Sequence, residues 1–184
     1  MATLRARLAS GNAHKLAELR AALPGWELEL LETSEPFPDE DGESYYANAR
    51  AKAEFGRRVG PGDAWTLGED SGIEVAALGG RPGIASARWA KDGVAALLEV
   101  LQGVSDRRAR YVCELVALSP DGEEHRATGI LEGEIATERR GEEGFGYDPI
   151  FVPSGEQRTV AELGDAWKRE SSHRARAAAA LGAK

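Results

Sequence analysis

Hydrophobic and polar residues alternate along the chain with two different periods, and segments of the two kinds follow one another. In the first kind every second residue is apolar, or a short run is apolar throughout, as expected of β-strands. In the second kind apolar residues recur three or four positions apart, as on the buried face of a helix. The strand-like segments are residues 4–9, 26–31, 65–68, 73–78, 110–118, 126–135 and 150–152. The helix-like segments are residues 13–23 and about 45–58, one capped by Asp92, a short one capped by Thr159 with Glu162, and one from about Ser171 to Leu181.

Glycine and proline mark the connections between these segments. Pro24-Gly25 ends the first helix, and Ser119-Pro120-Asp121-Gly122 is typical of a hairpin turn. Two longer glycine-rich loops are GGRPGIASARW, at residues 79–89, and GEEGFGYDP, at residues 141–149. Because no repeat, linker or low-complexity segment interrupts the alternation, the pattern predicts a single mixed α/β domain over residues 1–184.

Composition and charge narrow the range of partners. The 184 residues are 42% hydrophobic and 29% charged, which is ordinary for a globular protein, and the net charge is −8. Long nucleic acids usually require a basic face, so we expect no nucleic-acid partner. No apolar run approaches the ~20 residues that span a bilayer, and the polar N-terminal segment predicts no signal peptide. The single cysteine, Cys113, lies in an apolar run and is expected to be a buried thiol, which favours a cytoplasmic location.

The first candidate site is SGNAHK, where the first strand passes into the first helix. If Asn12 caps that helix, Lys15 lies in its first turn, where a cation opposes the helix dipole. An anion bound by Ser10, Asn12, Lys15 and the free backbone N–H groups would remove this conflict. A plain strand–turn–helix with a solvated Lys15 explains the residues equally well. The GxxxxGK spacing of a Walker A loop is absent.

Two acidic clusters form the second candidate site. Asp39-Glu40-Asp41 with Glu43 lies in a loop that is typical of a solvated surface. Glu69-Asp70, in contrast, ends an apolar strand and precedes Ser71-Gly72, so we expect both carboxylates to project from a strand end into a turn, where α/β folds place their ligands. Such carboxylates suit Mg²⁺ together with phosphate oxygens, and one could take a proton from an attacking water.

Two further segments could recognise a planar base. In GFGYDP, glycines flank Phe145 and Tyr147, so the rings either stack on a base or plug the core. Lys168 and the segment SSHR are expected at the start of the last helix. There they would either form a donor cluster that faces phosphate or the oxygen-rich edge of a base, or remain a bare cap with solvated cations.

Taken together and in this order, the segments resemble the inosine triphosphate pyrophosphatase family, whose members remove aberrant purine nucleotides. The matching pieces are SGNAHKLAEL, GESYYANARAKA, GEDSGIEVAALGGRPGIASARWA, GFGYDPIFVP, and AEL followed by KRESSHR. The resemblance implies an α/β fold of two lobes around a long central mixed sheet flanked by helices, with the nucleotide in the cleft between the lobes. It also implies a Mg²⁺-dependent homodimer that hydrolyses ITP, dITP and XTP to the monophosphate and pyrophosphate.

The resemblance also assigns roles to individual residues. Asp70 becomes the catalytic base, and the metal-side carboxylates are Glu40, Glu69 and Asp70. The substrate-binding residues are Ser10, Gly11, Asn12, Ala13, His14, Lys15, Lys52, Ser71, Phe145, Gly146, Tyr147, Asp148, Lys168, His173 and Arg174. The chain departs from the family pattern at two positions. Glu69 lies where the family frequently has an aspartate. Ala47 lies where the family often has an acidic residue, and Ala47 is therefore left out of the site.

Three other functions are compatible with parts of the sequence. A nucleotide sensor that no longer hydrolyses is disfavoured by Glu40, Glu69, Asp70 and Lys15, because binding alone needs no positioned base. A pyrophosphatase for modified pyrimidine nucleotides is disfavoured by KRESSHR. A nucleic-acid-binding module is disfavoured by the net charge of −8.

Overall fold

The computed structural model describes residues 3–182, and this part of the chain contains six strands and five α-helices. The strands are β1 (Leu4–Leu8), β2 (Trp26–Leu30), β3 (Trp65–Val75), β4 (Arg108–Leu118), β5 (Glu124–Ile135) and β6 (Phe151–Pro153). The helices are α1 (Ala13–Ala22), α2 (Tyr45–Val59), α3 (Gly93–Val100), α4 (Val160–Ser171) and α5 (His173–Gly182). None of the helices within residues 3–182 is both long and apolar enough to cross a membrane.

The six strands form one sheet in the order β2-β1-β3-β4-β5-β6. β1 pairs in parallel with β2, with Leu4 opposite Trp26, and in parallel with β3, with Leu8 opposite Leu67. β5 and β6 are antiparallel, with Ile135 opposite Phe151. The predicted mixed sheet flanked by helices is therefore confirmed.

The chain divides into two compact units. The first comprises Met1–Asp70, Cys113–Gly129 and Arg174–Lys184, and the second comprises Ser71–Val112 and Ile130–His173. β3, β4 and β5 each contribute residues to both.

In the first unit α1 and α5 pack on the sheet through a core of leucine and alanine. This core includes Leu8, Leu19, Leu67, Leu115 and Ala177. At Gly68, α2 approaches β3 so closely that an added Cβ would lie 1.9 Å from the carbonyl oxygen of Ala49. Only glycine permits this backbone contact.

The second unit has its own core of aliphatic and aromatic side chains, to which α3 contributes Val94 and Leu97. Asp92 caps α3 by accepting a hydrogen bond from the N–H of Ala95 at 2.9 Å, as its position in the sequence predicts. Tyr111 and Phe151 pack together in this core, with ring centroids 4.5 Å apart.

The structure corrects the prediction that β3 breaks at Glu69-Asp70. The two predicted strands are one strand of 11 residues, and both carboxylates lie inside it rather than in a turn. Gly68, Gly72 and the intervening charged residues have low strand propensity, but tertiary packing outweighs it. The neighbouring strand β1 does end near this point, since its pairing with β3 stops at Leu67.

The structure also corrects the predicted bounds of the two C-terminal helices. Thr159 and Glu162 form the predicted capping box, but α4 continues to Ser171 across Gly164, whose φ is +82°. Lys168 therefore lies in the last turn of α4, where a cation suits the dipole, and not at the start of the last helix. The last helix starts at His173.

Candidate active site

The loop between β1 and α1 is held by its own polar side chains. The carboxamide oxygen of Asn12 accepts hydrogen bonds from the N–H groups of His14 at 3.0 Å and Lys15 at 3.2 Å, so Asn12 is the helix cap. Ser10 Oγ in turn accepts from the N–H of Asn12 at 3.1 Å. Gly11, Ala13 and His14 are exposed on this loop. The sequence thus places a pre-shaped, accessible helix start immediately after the end of β1.

Lys15 does not extend into solvent. Its ammonium group lies 2.6 Å from Glu69 Oε2, and only 15% of its side chain is exposed. The unfavourable position of a cation in the first turn of α1 is therefore compensated by a buried carboxylate. The alternative of a solvated Lys15 is wrong.

Glu69 has a second cationic partner on the same face of β3. Arg174, from the first turn of α5, donates from Nε to Glu69 Oε1 at 2.9 Å. Its Nη1 lies 3.1 Å from Glu18 Oε2, and Cys113 Sγ lies 3.6 Å from Glu69 Oε1. Burial would raise the pKa of Glu69, but Lys15 and Arg174 outweigh burial and hold this pKa well below its usual range.

Asp70 is turned to the opposite face of β3, toward α2, because successive side chains of a strand alternate. Asn48 Nδ2 donates to Asp70 Oδ2 at 2.8 Å, and Lys52 Nζ lies 3.5 Å from Asp70 Oδ1. Lys52 also donates to a carboxylate oxygen of Glu40 and to the backbone oxygen of Glu69, the latter at 3.0 Å. Burial raises the pKa of Asp70, and the opposing effects of Lys52 and Asn48 only partly reverse the rise.

These carboxylates decide where a divalent cation fits. Within residues 3–182 no three acidic, histidine or cysteine side chains gather closely enough to hold a metal ion by themselves. Mg²⁺, however, commonly uses one or two carboxylates and completes its shell with water and phosphate oxygens. Glu40 and Asp70, which converge on Lys52, fit that requirement. Glu69, with Lys15 and Arg174 on its carboxylate, does not.

In the second unit Asp148 organises the residues predicted to face the base. Its Oδ2 accepts from Lys168 Nζ at 2.7 Å and from the N–H of Phe145 at 2.8 Å. The Lys168 ammonium also lies 4.4 Å from the centroid of the Phe145 ring. Asp148, Lys168 and Phe145 therefore form one contact cluster, although 20 residues separate Asp148 from Lys168.

Tyr147 has a different environment from Phe145. Its ring belongs to the core of the second unit, and its hydroxyl donates to the carbonyl oxygen of Ser86 at 2.9 Å. Burial raises the pKa of Tyr147 to about 12. Tyr147 is therefore the ring that plugs the core, whereas Phe145 is half-buried next to Lys168. Gly146, between them, has a φ of +62°, which bends the loop so that the two rings part.

Tyr111 is a contact residue that sequence reasoning missed. Its ring stacks on His173 with a centroid distance of 4.6 Å and an interplanar angle of 8°, and its hydroxyl donates to Asp148 Oδ1 at 3.1 Å. It lies in an apolar strand, so nothing in the local pattern separates it from ordinary core residues. Glu18 was missed as well, although it follows Lys15 by three positions and so shares its helix face.

Comparisons with known proteins extend over nearly the whole chain. The model of the Ham1 family matches residues 6–184. The dITP/XTP pyrophosphatase of Deinococcus deserti is 43% identical over 181 residues, which cover 95% of this chain and 86% of that protein. The dITP/XTP pyrophosphatase of Bdellovibrio bacteriovorus is 40% identical, with 92% of each chain covered. The structure of the Staphylococcus aureus Ham1 protein has a TM-score of 0.85 at 34% identity, covering 97% of this chain and 96% of that one.

Proposed function

Because the chain belongs to the Ham1 family, we propose that it hydrolyses non-standard purine nucleoside triphosphates, namely ITP, dITP and XTP, to the monophosphate and pyrophosphate. This reaction would remove such nucleotides from the cellular pool. Relatives that carry the name dITP/XTP pyrophosphatase align with more than nine-tenths of the chain, which supports treating residues 1–184 as one pyrophosphatase domain. The observation that carries the proposal is the position of Asp70, a buried carboxylate with a raised pKa beside Lys52 and Glu40.

In this reaction water attacks the α-phosphorus, and the bond from that phosphorus to the oxygen of the leaving pyrophosphate breaks. Asp70 acts as general base and accepts the proton of the attacking water. A raised pKa increases the proton affinity of its carboxylate, while Asn48 and Lys52 fix the orientation of the group. A positioned base of this kind typically accelerates a reaction by ~10²–10⁴-fold.

Mg²⁺ is the proposed cofactor, held by Glu40 and Asp70 together with phosphate oxygens of the substrate. When bound, it neutralises phosphate charge and stabilises the charge that develops on the leaving group. Lys52 and Ser71 are further proposed to contact the phosphates of the substrate. Lys52 is suited to this role because Glu40 and Asp70 outweigh the effect of burial and raise its pKa, so its ammonium stays charged.

The loop from Ser10 to Lys15 binds the triphosphate. The N-terminus of α1 favours negative charge, and its backbone N–H groups are natural phosphate donors. Gly11, Ala13 and His14 are exposed there, which leaves the backbone accessible.

The base is recognised by Phe145 to Asp148 with Lys168, His173 and Arg174. A guanidinium has only donors, so Arg174 donates to the 6-oxygen of hypoxanthine or xanthine and is mismatched with the 6-amino group of adenine, which is also a donor. Because Tyr147 faces the core, the backbone of this residue, rather than its ring, is the part assigned to the substrate.

The enzyme is further proposed to act in the cytoplasm as a homodimer, without nucleic-acid or membrane partners. The single buried thiol supports the location, the net charge of −8 disfavours a nucleic-acid partner, and the homodimer is what the family resemblance implies.

A substrate panel tests the function. The purified protein is incubated with Mg²⁺ and, separately, with ITP, dITP, XTP, ATP, GTP and a modified pyrimidine triphosphate, and pyrophosphate and orthophosphate are quantified. We expect pyrophosphate from the first three and little from the others. Binding without turnover would support a sensor, and preferred cleavage of the pyrimidine nucleotide would overturn the purine assignment.

A further inference from the structure

Glu69 is the one metal-side carboxylate of the family pattern whose surroundings disagree with that role. It is 1% exposed, and each carboxylate oxygen already has a cation within 3 Å. We propose that Glu69 is a positioning residue that serves as the shared counter-ion of Lys15 and Arg174, and that it does not bind the metal. The proposal rests on the roles assigned above to Lys15 and Arg174.

The direction of the side chain is the first argument. Asp70 and Glu69 are consecutive in a continuous strand, so their carboxylates leave β3 on opposite faces. Asp70 meets Asn48 and Lys52 of α2, whereas Glu69 meets Lys15 of α1 and Arg174 of α5. A cation held by Glu40 and Asp70 therefore lies on the face that Glu69 turns away from.

Charge is the second argument. A divalent ion at Glu69 would have to displace an ammonium or a guanidinium from a carboxylate that water does not reach. The displaced cation would then remain close to the metal in a buried region, which is costly for like charges. The carboxylate is far better matched by the two cations it already holds.

The consequence for catalysis follows from the two partners. Lys15 belongs to the triphosphate loop, and Arg174 is assigned to the base. One carboxylate thus sets the position of a cation for each end of the nucleotide. Its loss should disturb base discrimination and triphosphate binding together, while the affinity for the metal stays the same.

Two isosteric variants separate this role from metal binding. Glu69→Gln removes the charged carboxylate on one face of β3. Glu40→Gln removes the carboxylate that pairs with Lys52, on the side of β3 to which Asp70 is turned. For both variants and the unmodified enzyme, kcat and KM are measured with ITP and ATP. Mn²⁺ affinity is measured by electron paramagnetic resonance in the presence of a non-hydrolysable ITP analogue.

For Glu69→Gln we expect the ITP-to-ATP ratio of kcat/KM to fall by about tenfold or more, with KM for ITP raised and Mn²⁺ affinity within about twofold of the unmodified enzyme. For Glu40→Gln we expect weaker Mn²⁺ binding and an unchanged ratio. Loss of Mn²⁺ affinity in Glu69→Gln, or an unchanged ratio there, overturns the proposal.

A third variant keeps the proposal testable if Glu69→Gln does not fold. Glu69→Asp keeps the charge and shortens the side chain by one methylene, so it should fold, bind Mn²⁺ normally and recover part of the ITP preference. Weakened Mn²⁺ binding in Glu69→Asp would overturn the proposal as well. An unmodified enzyme that releases no pyrophosphate from ITP would instead reject the proposed function.

Discussion

Glu69 and Asp70 are neighbours in one strand and are both almost completely buried, yet their surroundings act on them in opposite directions. On the Glu69 side two cations serve one carboxylate, and the pKa of Glu69 is lowered. On the Asp70 side one ammonium, that of Lys52, serves both Asp70 and Glu40, and the pKa of Asp70 is raised.

The difference shows that burial does not by itself decide what a carboxylate does. Burial opposes ionisation of both groups, and the supply of positive charge on each face determines the net result. A carboxylate with excess positive charge around it is a stable anion that holds other groups in place. A carboxylate that lacks such charge has a greater affinity for a proton.

The largest effect is expected from removing the charge on the Asp70 side. Asp70→Asn preserves the shape but can no longer accept a proton, so kcat for ITP should fall by ~10²–10⁴-fold. Steady-state kinetics measure the loss, and circular dichroism verifies the fold. Asp63→Asn, at an exposed ion pair with Arg5, is the control and should keep full activity. If Asp70→Asn retains more than a tenth of kcat, Asp70 is not the base.

On the Glu69 side, Lys15→Ala should reduce both activity and stability. The triphosphate loses a cation, and Glu69 loses one of its two partners, which costs about 1–3 kcal/mol of unfolding free energy. Urea denaturation and kcat/KM for ITP measure the two effects. Arg108→Ala, at an exposed pair with Asp106, should change neither by more than experimental error. Unaltered stability in Lys15→Ala would show that the pair with Glu69 is not formed in solution.

Lowering the pH should reveal that the pKa values of the two carboxylates are shifted in opposite directions. The folded-state pKa of Glu69 lies below its ordinary 4.5, so its contribution to stability is present above pH 4.5 and is lost as the pH falls below it. The folded-state pKa of Asp70 lies above its ordinary 3.8, so its contribution is present below pH 3.8 and is lost as the pH rises through the folded-state value. The stability advantage of the unmodified protein over Glu69→Gln should therefore shrink from pH 7 to pH 3 in urea titrations. An advantage that grows toward low pH would contradict this sign.

The smallest effect concerns the hydrogen bond that Asn48 donates to Asp70. This bond lowers the pKa of Asp70, so Asn48→Ala should raise that pKa further. The acidic limb of the kcat/KM profile for ITP then moves to higher pH. Ser44→Ala removes the hydrogen bond that caps the same helix and should leave this limb in place. If both variants give the profile of the unmodified enzyme, Asn48 does not tune the base.

Periodicity alone was sufficient for most of the fold. Most strands, the first two helices and the capping residues Asn12, Asp92 and Thr159 lie where the pattern predicts them, but residues 76–78, predicted as the end of a strand, form a 3-10 helix. The break proposed within β3 was wrong because glycine and charged residues are poor strand formers in isolation, and packing against α2 compensates for this. Lys168 was misplaced because the helix capped by Thr159 was predicted to be short, whereas it continues across Gly164 to Ser171.

The family resemblance named the candidate site residues, but it did not show which of them pair with one another. Local sequence cannot show that Glu69 meets Arg174, which lies 105 positions later, or that Tyr111 stacks on His173. The alternation of side chains along a strand would have separated Glu69 from Asp70, had the strand been recognised as continuous.

The close approach at Gly68 limits how the site can evolve. Any side chain at this position would push α2 away from β3, and α2 carries both Asn48 and Lys52. The spacing between that helix and Asp70 is set by contact of backbone atoms, so no series of small substitutions can tune it gradually. Evolution can therefore change the chemistry on this side only by replacing the functional side chains, because the distance between α2 and β3 is fixed.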